Sequence, residues 1–232
     1  MDILNIKYTF RFADGSERVF SERFNEATLE PIGRKPSRPP AWAALEYHQC
    51  ANCPLQPERS PFCPVATDLV KLLERCQGMD PLDTVSLEVA SDDRVISLST
   101  TVQHGLGSLM GLVIATSDCP HARFFRPMAR FHLPLASETE SIYRVVSMYM
   151  LAQYMRQRQG GDSALEIEGL YEIYRQLETV NTTIATRLKA AGNEGASVKP
   201  IMEWDVFSGM FPLRTREVLA QLEPLFSAYL ND

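Results

Sequence analysis

The apolar residues near the start of the chain follow the two-residue period of a half-buried strand. Every second residue from Ile6 to Phe12 is apolar, and Lys, Thr and Arg stand between them. The turn residues Asp14 and Gly15 come next, and residues 17–24 form a second extended run. This pattern predicts a β-hairpin.

The same period returns once before the character of the chain changes. Apolar residues alternate over 85–89 and again over 96–98, on either side of the polar turn 91–93, so we predict a second hairpin. Between the hairpins, residues 31–40 contain four prolines and three basic residues, which favours an extended connector. Two hairpins are enough for a small antiparallel sheet.

Most of the remaining chain follows the helical period of about 3.6 residues. A stripe of apolar residues from Leu170 to Leu188 ends before Gly192, a typical helix stop. The segment 138–158 is apolar nearly all round in its middle, which predicts a central buried helix. Helices are predicted over 65–77, 103–116, 138–158, about 170–188, about 198–210 and about 213–230.

These elements predict an α+β fold, with the sheet of the two hairpins packed on a C-terminal helical bundle. We expect one domain over residues 1–232. Its β-rich part (1–102) carries the cysteine loop, which is the segment 47–64 rich in Cys and Pro, and its helical part covers 103–232. The length is ample for a hydrophobic core without metals or disulfides.

Composition and charge narrow the possible classes of protein. With 45% hydrophobic and 22% charged residues, the chain is neither a disordered tail nor a disulfide scaffold. The net charge of −6 argues against nucleic-acid binding, which needs clustered basic residues. The longest apolar run, about 109–115, is far too short to span a bilayer, so we expect a cytoplasmic protein with no membrane partner.

Four of the five cysteines lie in irregular segments and predict a metal site. Cys50 and Cys53 form a Cys-x2-Cys pair, the shortest spacing at which two sulfur atoms can face one centre, and Cys63 and Cys119 supply two more thiols. His48 and His121 are reserve ligands. Cys76 differs from these, because it falls on the apolar side of a predicted helix and is expected in the core.

The spacing of these cysteines is slightly closer to that of iron–sulfur ligands than to that of zinc ligands. Pro54 follows the second cysteine, where many zinc knuckles need a positive φ, so we expect an iron–sulfur cluster, with zinc as the alternative. A second interpretation needs no metal: the Cys-Pro pairs mark turns and helix starts, and the thiols pack as small hydrophobic groups.

A basic segment follows Cys119, with no acidic residue before Ser137. Arg123, Arg126 and Arg130 would share one helical face and, with His132, could bind a phosphate or carboxylate. The alternative is that these arginines pair with the surplus acidic residues of the helical half.

Several short motifs between residues 45 and 155 carry a resemblance to a known family. They are Cys50-Ala51-Asn52-Cys53-Pro54-Leu55, Cys63-Pro64-Val65-Ala66, Ser117-Asp118-Cys119-Pro120, the run Arg126-Pro127-Met128-Ala129-Arg130-Phe131-His132-Leu133-Pro134, and Ser147-Met148-Tyr149-Met150-Leu151-Ala152-Gln153-Tyr154. On these motifs the chain resembles an uncharacterised bacterial family, a domain of unknown function. The resemblance implies no activity and no catalytic residue.

The sequence therefore favours a cysteine-ligated metal-binding protein that acts as a redox- or metal-responsive sensor or adaptor. We expect a protein partner or a homo-oligomer through the helical half, because it is rich in Met and Tyr. Two alternatives remain. One is an enzyme or small-ligand binder that holds an anionic ligand in segment 121–132, with Cys119 as nucleophile or redox centre, and the other is a metal-free interaction module.

Overall fold

The two predicted hairpins form a single antiparallel sheet. Their strands are Ile3–Arg11 (β1), Glu17–Asn25 (β2), Thr84–Ser91 (β3) and Val95–Thr101 (β4). The strand order is β2-β1-β3-β4, so the hairpins join through their first strands. Tyr8 on β1 lies between Phe20 of β2 and Val89 of β3. Gly15 closes the first hairpin with a φ of 83°, a conformation that glycine adopts without strain.

The computed structural model describes residues 2–163, 165–192 and 199–230, with only the backbone of residues 199–208. The helices within these ranges include Pro64–Cys76 (α1), Val102–Ala115 (α2), Arg126–Arg130 (α3), Glu138–Arg158 (α4), Glu168–Ala190 (α5), Lys199–Leu222 (α6) and Ser227–Leu230 (α7). The predicted α+β fold is confirmed. None of the described helices combines the length and the hydropathy needed to cross a bilayer.

The sheet and the helices share one core. Its cluster of buried side chains extends from Leu4 on β1 to Val218 on α6. Helix α2 lies close against the sheet at Gly105, where an added Cβ would stand 2.5 Å from a ring carbon of Phe10. The single domain over residues 1–232 stays a prediction.

The C-terminal helices differ from the prediction. The segments about 198–210 and 213–230 were expected as two helices, but α6 continues through Pro212 to Leu222, and Val198 itself lies outside the described residues. Phe211 stacks on Tyr174 of α5, with ring centroids 3.4 Å apart. This packing holds the helix across the proline, at a position where local sequence favours a break.

Helix α4 has the predicted bounds but not the predicted burial. Ile142, Val145 and Tyr149 are buried, whereas Leu151 and Tyr154 are more than half exposed. The helix packs along one side only, so the expectation of a central buried helix is wrong.

Candidate functional site

The four predicted cysteine ligands lie in one region of the molecule without forming a metal site. Cys50 is close enough to Cys63, Cys119 and Cys53 for their charges to raise its pKa. Nevertheless, in the part of the chain that the structure describes, which contains all six predicted ligands, no group of three or more His, Cys, Asp or Glu side chains could hold a metal ion. The predicted cysteine-ligated metal function is therefore wrong. The choice between an iron–sulfur cluster and zinc is not tested separately.

Each thiol has an environment of its own. Burial raises the pKa of Cys50 to about 11, although a hydrogen bond with Thr183 of α5 acts in the opposite direction. Cys63 and Cys119 are each 8% exposed, and burial raises the pKa of both above the ordinary value, more than the backbone N–H groups beside them lower it. These two thiols pack in the hydrophobic core, as the second interpretation expected. Cys76 is buried on α1, as predicted.

The reserve ligands have other partners. The Nε2 atom of His121 lies 2.8 Å from the carbonyl oxygen of Asn52, to which it donates a hydrogen bond. The ring of His48 packs edge-on against Tyr47, and its backbone has a φ of 48°. Both histidines thus stabilise the cysteine loop through packing or backbone contacts.

A buried arginine that the sequence did not single out joins this loop to α5. Arg187 is 1% exposed, and its two terminal nitrogens donate hydrogen bonds to backbone carbonyl oxygens at distances of 2.6–3.2 Å. The acceptors belong to Trp42, Ala44, Leu45 and His48. The sequence offered little indication that Arg187 is a buried hydrogen-bond donor, because an arginine near the end of a helix usually lies in solvent.

The arginines of the basic segment lie beside acidic residues. Arg126 donates to Asp118 at 3.0 Å, and Arg130 donates to Glu26 at 2.7 Å, while Arg123 is exposed. The alternative to ligand binding expected acidic partners in the helical half: Asp118 lies there, whereas Glu26 lies in the β-rich part. Binding of an anion in segment 121–132 stays a prediction.

His132, the last predicted ligand-binding residue, belongs to a hydrogen-bonded group beneath the sheet. Its Nε2 atom lies 2.5 Å from the hydroxyl of Tyr8, which also contacts the hydroxyl of Ser108 at 2.9 Å. Burial, with a smaller contribution from the nearby charge of Arg144, lowers the pKa of His132 to about 3, so the ring is neutral at neutral pH.

A separate cleft of about 270 Å³ lies between β2, residues 32–34 and α1. Its charged lining consists of four basic side chains, those of Arg23, Lys71, Arg75 and the buried Arg34, and of two carboxylates, those of Glu22 and Asp68. Clefts with convergent polar groups are the usual places for small-molecule binding.

Arg34 and Asp68 form the polar floor of this cleft. The side chains are 3% and 1% exposed, and Arg34 Nη1 lies 3.5 Å from Asp68 Oδ2, which is long for a hydrogen bond. Arg34 Nε donates to Glu22 at 2.7 Å, and Nη1 donates to Thr116 at 2.9 Å. Among the described residues, Arg34 Nη2 and both carboxylate oxygens of Asp68 have no hydrogen-bond partner. Such orphaned buried groups are rare in native proteins and require an explanation.

Burial has a direct electrostatic effect at this floor. It raises the pKa of Asp68 to about 6, although the charges of Arg34 and Lys35 lower it and that of Asp118 raises it. The long contact with the Arg34 guanidinium, at 3.5 Å, also lowers this pKa, so the carboxylate is weakly held by Arg34 and not isolated from it. A perturbed carboxyl group in a cleft is a recognised mark of a functional site.

The sequence contained one usable signal for this site. Asp68 falls among the apolar residues of the predicted helix 65–77, on the side that turns to the core. A carboxylate at such a position needs a buried partner. Arg34 was placed only in the extended connector, and nothing local linked the two residues.

The outer side of α4 exposes apolar side chains. Tyr143, Leu151, Tyr154 and Met155 are between 49% and 56% exposed. A protein partner or homo-oligomer through the helical half stays a prediction.

Fold and site together define an α+β protein with a four-stranded antiparallel sheet and a buried Arg–Asp pair under a basic cleft. The chain belongs to the family described as a domain of unknown function (DUF6901), whose model matches residues 6–227. The family resemblance drawn from the sequence is thereby confirmed. Comparisons with curated proteins and with solved structures give no match.

Proposed function

We propose that the protein binds a small anionic ligand in the cleft above Arg34 and Asp68. One observation carries this proposal: Arg34 Nη2 and the Asp68 carboxylate are buried without hydrogen-bond partners among the described residues, on the floor of a cleft lined by basic side chains. These atoms are closed to solvent, so a ligand that reaches both groups must displace part of the cleft lining. It would then satisfy the free nitrogen of Arg34 and both carboxylate oxygens of Asp68.

The basic side chains have donors to spare for an anion. Lys71 Nζ uses one N–H for the carbonyl oxygen of Gly33, at 2.8 Å, and an ammonium group carries three. Arg75 donates from Nη2 to the carbonyl oxygen of Val19, and a guanidinium group carries five N–H donors. Carboxylate and phosphate oxygens are the natural acceptors for such groups.

The volume and the acidic floor narrow the ligand further. About 270 Å³ suits a small metabolite better than a drug-sized molecule or a polymer. Because the Asp68 pKa is about 6, its side chain is mostly ionised at pH 7 and would accept a hydrogen bond from a hydroxyl or an amine. The ligand is thus a small carboxylate or phosphate that also carries a hydrogen-bond donor.

The predicted basic segment adjoins this site. Arg126 pairs with Asp118 at 3.0 Å, and Asp118 also pairs at 3.1 Å with Lys35, the residue after Arg34. This chain of charges supports a role for Arg126 in tuning the cleft. The proposal keeps the expected cytoplasmic location and the absence of nucleic-acid binding, given the net charge of −6.

The test is calorimetric titration and thermal unfolding with inorganic phosphate, citrate, O-phosphoethanolamine and serine. We expect at least one compound to raise the melting temperature of the wild type, since a ligand that binds only the folded state stabilises it. The shift should disappear in Arg34→Met and in the double variant Lys71→Gln, Arg75→Gln, and it should persist in Arg59→Met, a matched control at an exposed arginine.

Two results would overturn the proposal. One is that none of these compounds binds the wild type in the millimolar range. The other is that the binding constant is unchanged in the double variant, which alters only the lining of the cleft and leaves its floor intact.

A further inference from the structure

Cys50 and Cys53 lie at the two ends of a tight turn. The backbone N–H of Cys53 donates to the carbonyl oxygen of Cys50 at 3.0 Å. A turn closed by this bond holds its end Cα atoms within about 7 Å of each other. A disulfide needs a Cα separation of roughly 4.4–6.8 Å, so the turn places the two cysteines within bonding reach.

These two thiols are also the accessible ones. Cys50 and Cys53 are free and half-buried, whereas Cys63, Cys76 and Cys119 are buried. An oxidant from solvent therefore reaches the pair before it reaches the other thiols.

We propose that Cys50 and Cys53 form an intramolecular disulfide when the protein meets a peroxide. One thiolate attacks a peroxide oxygen, the O–O bond breaks, and a sulfenic acid and a first hydroxide form. The second thiolate then attacks that sulfur, the S–O bond breaks, the S–S bond forms, and a second hydroxide leaves. The two protons released when the thiols ionise convert the two leaving hydroxides into water. Two thiols are oxidised and hydrogen peroxide is reduced to two waters. This reaction needs two side chains and no metal.

A buried cation stands beside the pair. Burial lowers the pKa of Arg187, and the charges of Cys63, Cys50 and Cys53 oppose that effect. Opposite charges on a guanidinium and a thiolate favour the charged form of each. This countercharge opposes, without overcoming, the burial that raises the pKa of Cys50 to about 11.

Oxidation changes contacts that attach the turn to the helical part. The side chain of Asn52 donates to the backbone oxygen of Gln176 on α5 at 3.0 Å and to its side-chain oxygen at 2.7 Å. The Cys50 side chain also lies beside Thr183 on the same helix, and the Thr183 hydroxyl donates to the carbonyl oxygen of Thr179 at 2.7 Å. A bond from Cys50 to Cys53 removes the thiol from Thr183, so the redox state of the turn is coupled to the attachment of α5.

The experiment uses the full chain, purified under reducing conditions and then treated with a small excess of hydrogen peroxide. We expect the intact mass to fall by two hydrogens and peptide mapping to join Cys50 to Cys53. Hydrogen exchange over residues 176–183 should become faster in the oxidised protein. Cys53→Ser should prevent the loss of two hydrogens, and the matched control Cys76→Ser should retain it.

Peptide mapping of the wild type gives an answer even if Cys53→Ser fails to fold. Full alkylation of both cysteines after peroxide treatment, or a disulfide to Cys63 or Cys119 in place of the expected one, would overturn the proposal. If hydrogen exchange over residues 176–183 is the same in the reduced and the oxidised protein, the proposed coupling of the turn to α5 is wrong.

Discussion

Tyr8 and His132 are 124 residues apart in sequence, and their side chains meet in a hydrogen bond of 2.5 Å between the phenol oxygen and Nε2. Burial raises the pKa of Tyr8 far above its ordinary value, so the phenol stays protonated. The Tyr8 hydroxyl can therefore donate a hydrogen bond to Nε2 of the neutral His132 ring. The contact ties β1 to the segment that follows α3, and Ser108 adds α2 to the same group.

The neutral state of His132 predicts a loss of stability in acid. Its pKa is about 3 in the folded protein against an ordinary 6.5, so between these values the unfolded chain binds a proton that the folded chain does not. The free energy of unfolding should fall as the pH decreases from 6.5 towards 3, by at most about 1.4 kcal/mol per pH unit from this group. His132→Gln keeps a polar side chain without a titrating ring. Urea unfolding at pH 4 to 7 should show a weaker pH dependence for this variant, and an identical slope would contradict the prediction.

Asp68 makes the free energy of unfolding depend on pH in the opposite direction from His132. Burial raises the pKa of Asp68 to about 6 from an ordinary 3.8, so this group lowers stability as the pH rises. Its ionisation costs stability above pH 6, and the cost disappears below the unfolded pKa. At pH 7, Asp68→Asn should raise the free energy of unfolding by about 1–3 kcal/mol, given about 1.4 kcal/mol per pKa unit. The same variant should lose the proposed ligand. Destabilisation at pH 7 together with normal ligand binding would show that Asp68 is a structural partner of Arg34.

Arg187→Lys should destabilise the cysteine loop. One ammonium group cannot reproduce the planar arrangement that serves the carbonyl oxygens of residues 42, 44, 45 and 48. Leaving buried carbonyl groups unpaired costs about 1–3 kcal/mol each, so we expect a loss of at least 2 kcal/mol in urea unfolding. Arg175→Lys, at an exposed position on the same helix, is the matched control and should change stability by less than about 0.5 kcal/mol.

Gly105→Ala should weaken the packing of α2 on the sheet. The new methyl group would lie 2.5 Å from Phe10 Cε1 and 3.2 Å from Leu87 Cδ2, so the helix or the ring must move. Overpacking of this kind costs about 1–3 kcal/mol, which exceeds the gain in helix propensity from replacing glycine. Thermal unfolding should show a lower melting temperature than for His104→Ala, an exposed change one residue earlier. Equal melting temperatures would mean that Phe10 has room to rotate.

The elements that local periodicity specifies were predicted well. The strands, α1, α2, α4 and α5 all lie within a few residues of their predicted bounds, because each has its own two-residue or 3.6-residue pattern. Burial was harder to predict. The apolar middle of α4 could not show that Leu151 and Tyr154 face outwards, since that depends on which neighbours the helix finds.

The candidate sites show the same limit. Four cysteines in irregular segments, two of them in a Cys-x2-Cys pair, suggested a metal site, but the sequence could not show whether their sulfur atoms converge. In the structure, burial favours protonated thiols at Cys63 and Cys119. Arg34 and Asp68 each lie in a segment with a plain structural interpretation. Their pairing arises from the fold and has no local pattern.

The strand order also has a consequence for the order in which the chain folds. Pairing of β1 with β3 closes a loop over residues 12–83, which contains the connector, the Cys50–Cys53 turn and α1. Each hairpin closes locally and at low entropic cost, whereas this long loop costs more chain entropy to close. Both proposed sites lie mainly inside it. We therefore expect the two hairpins to form first. The two proposed sites are then assembled only after β1 has paired with β3.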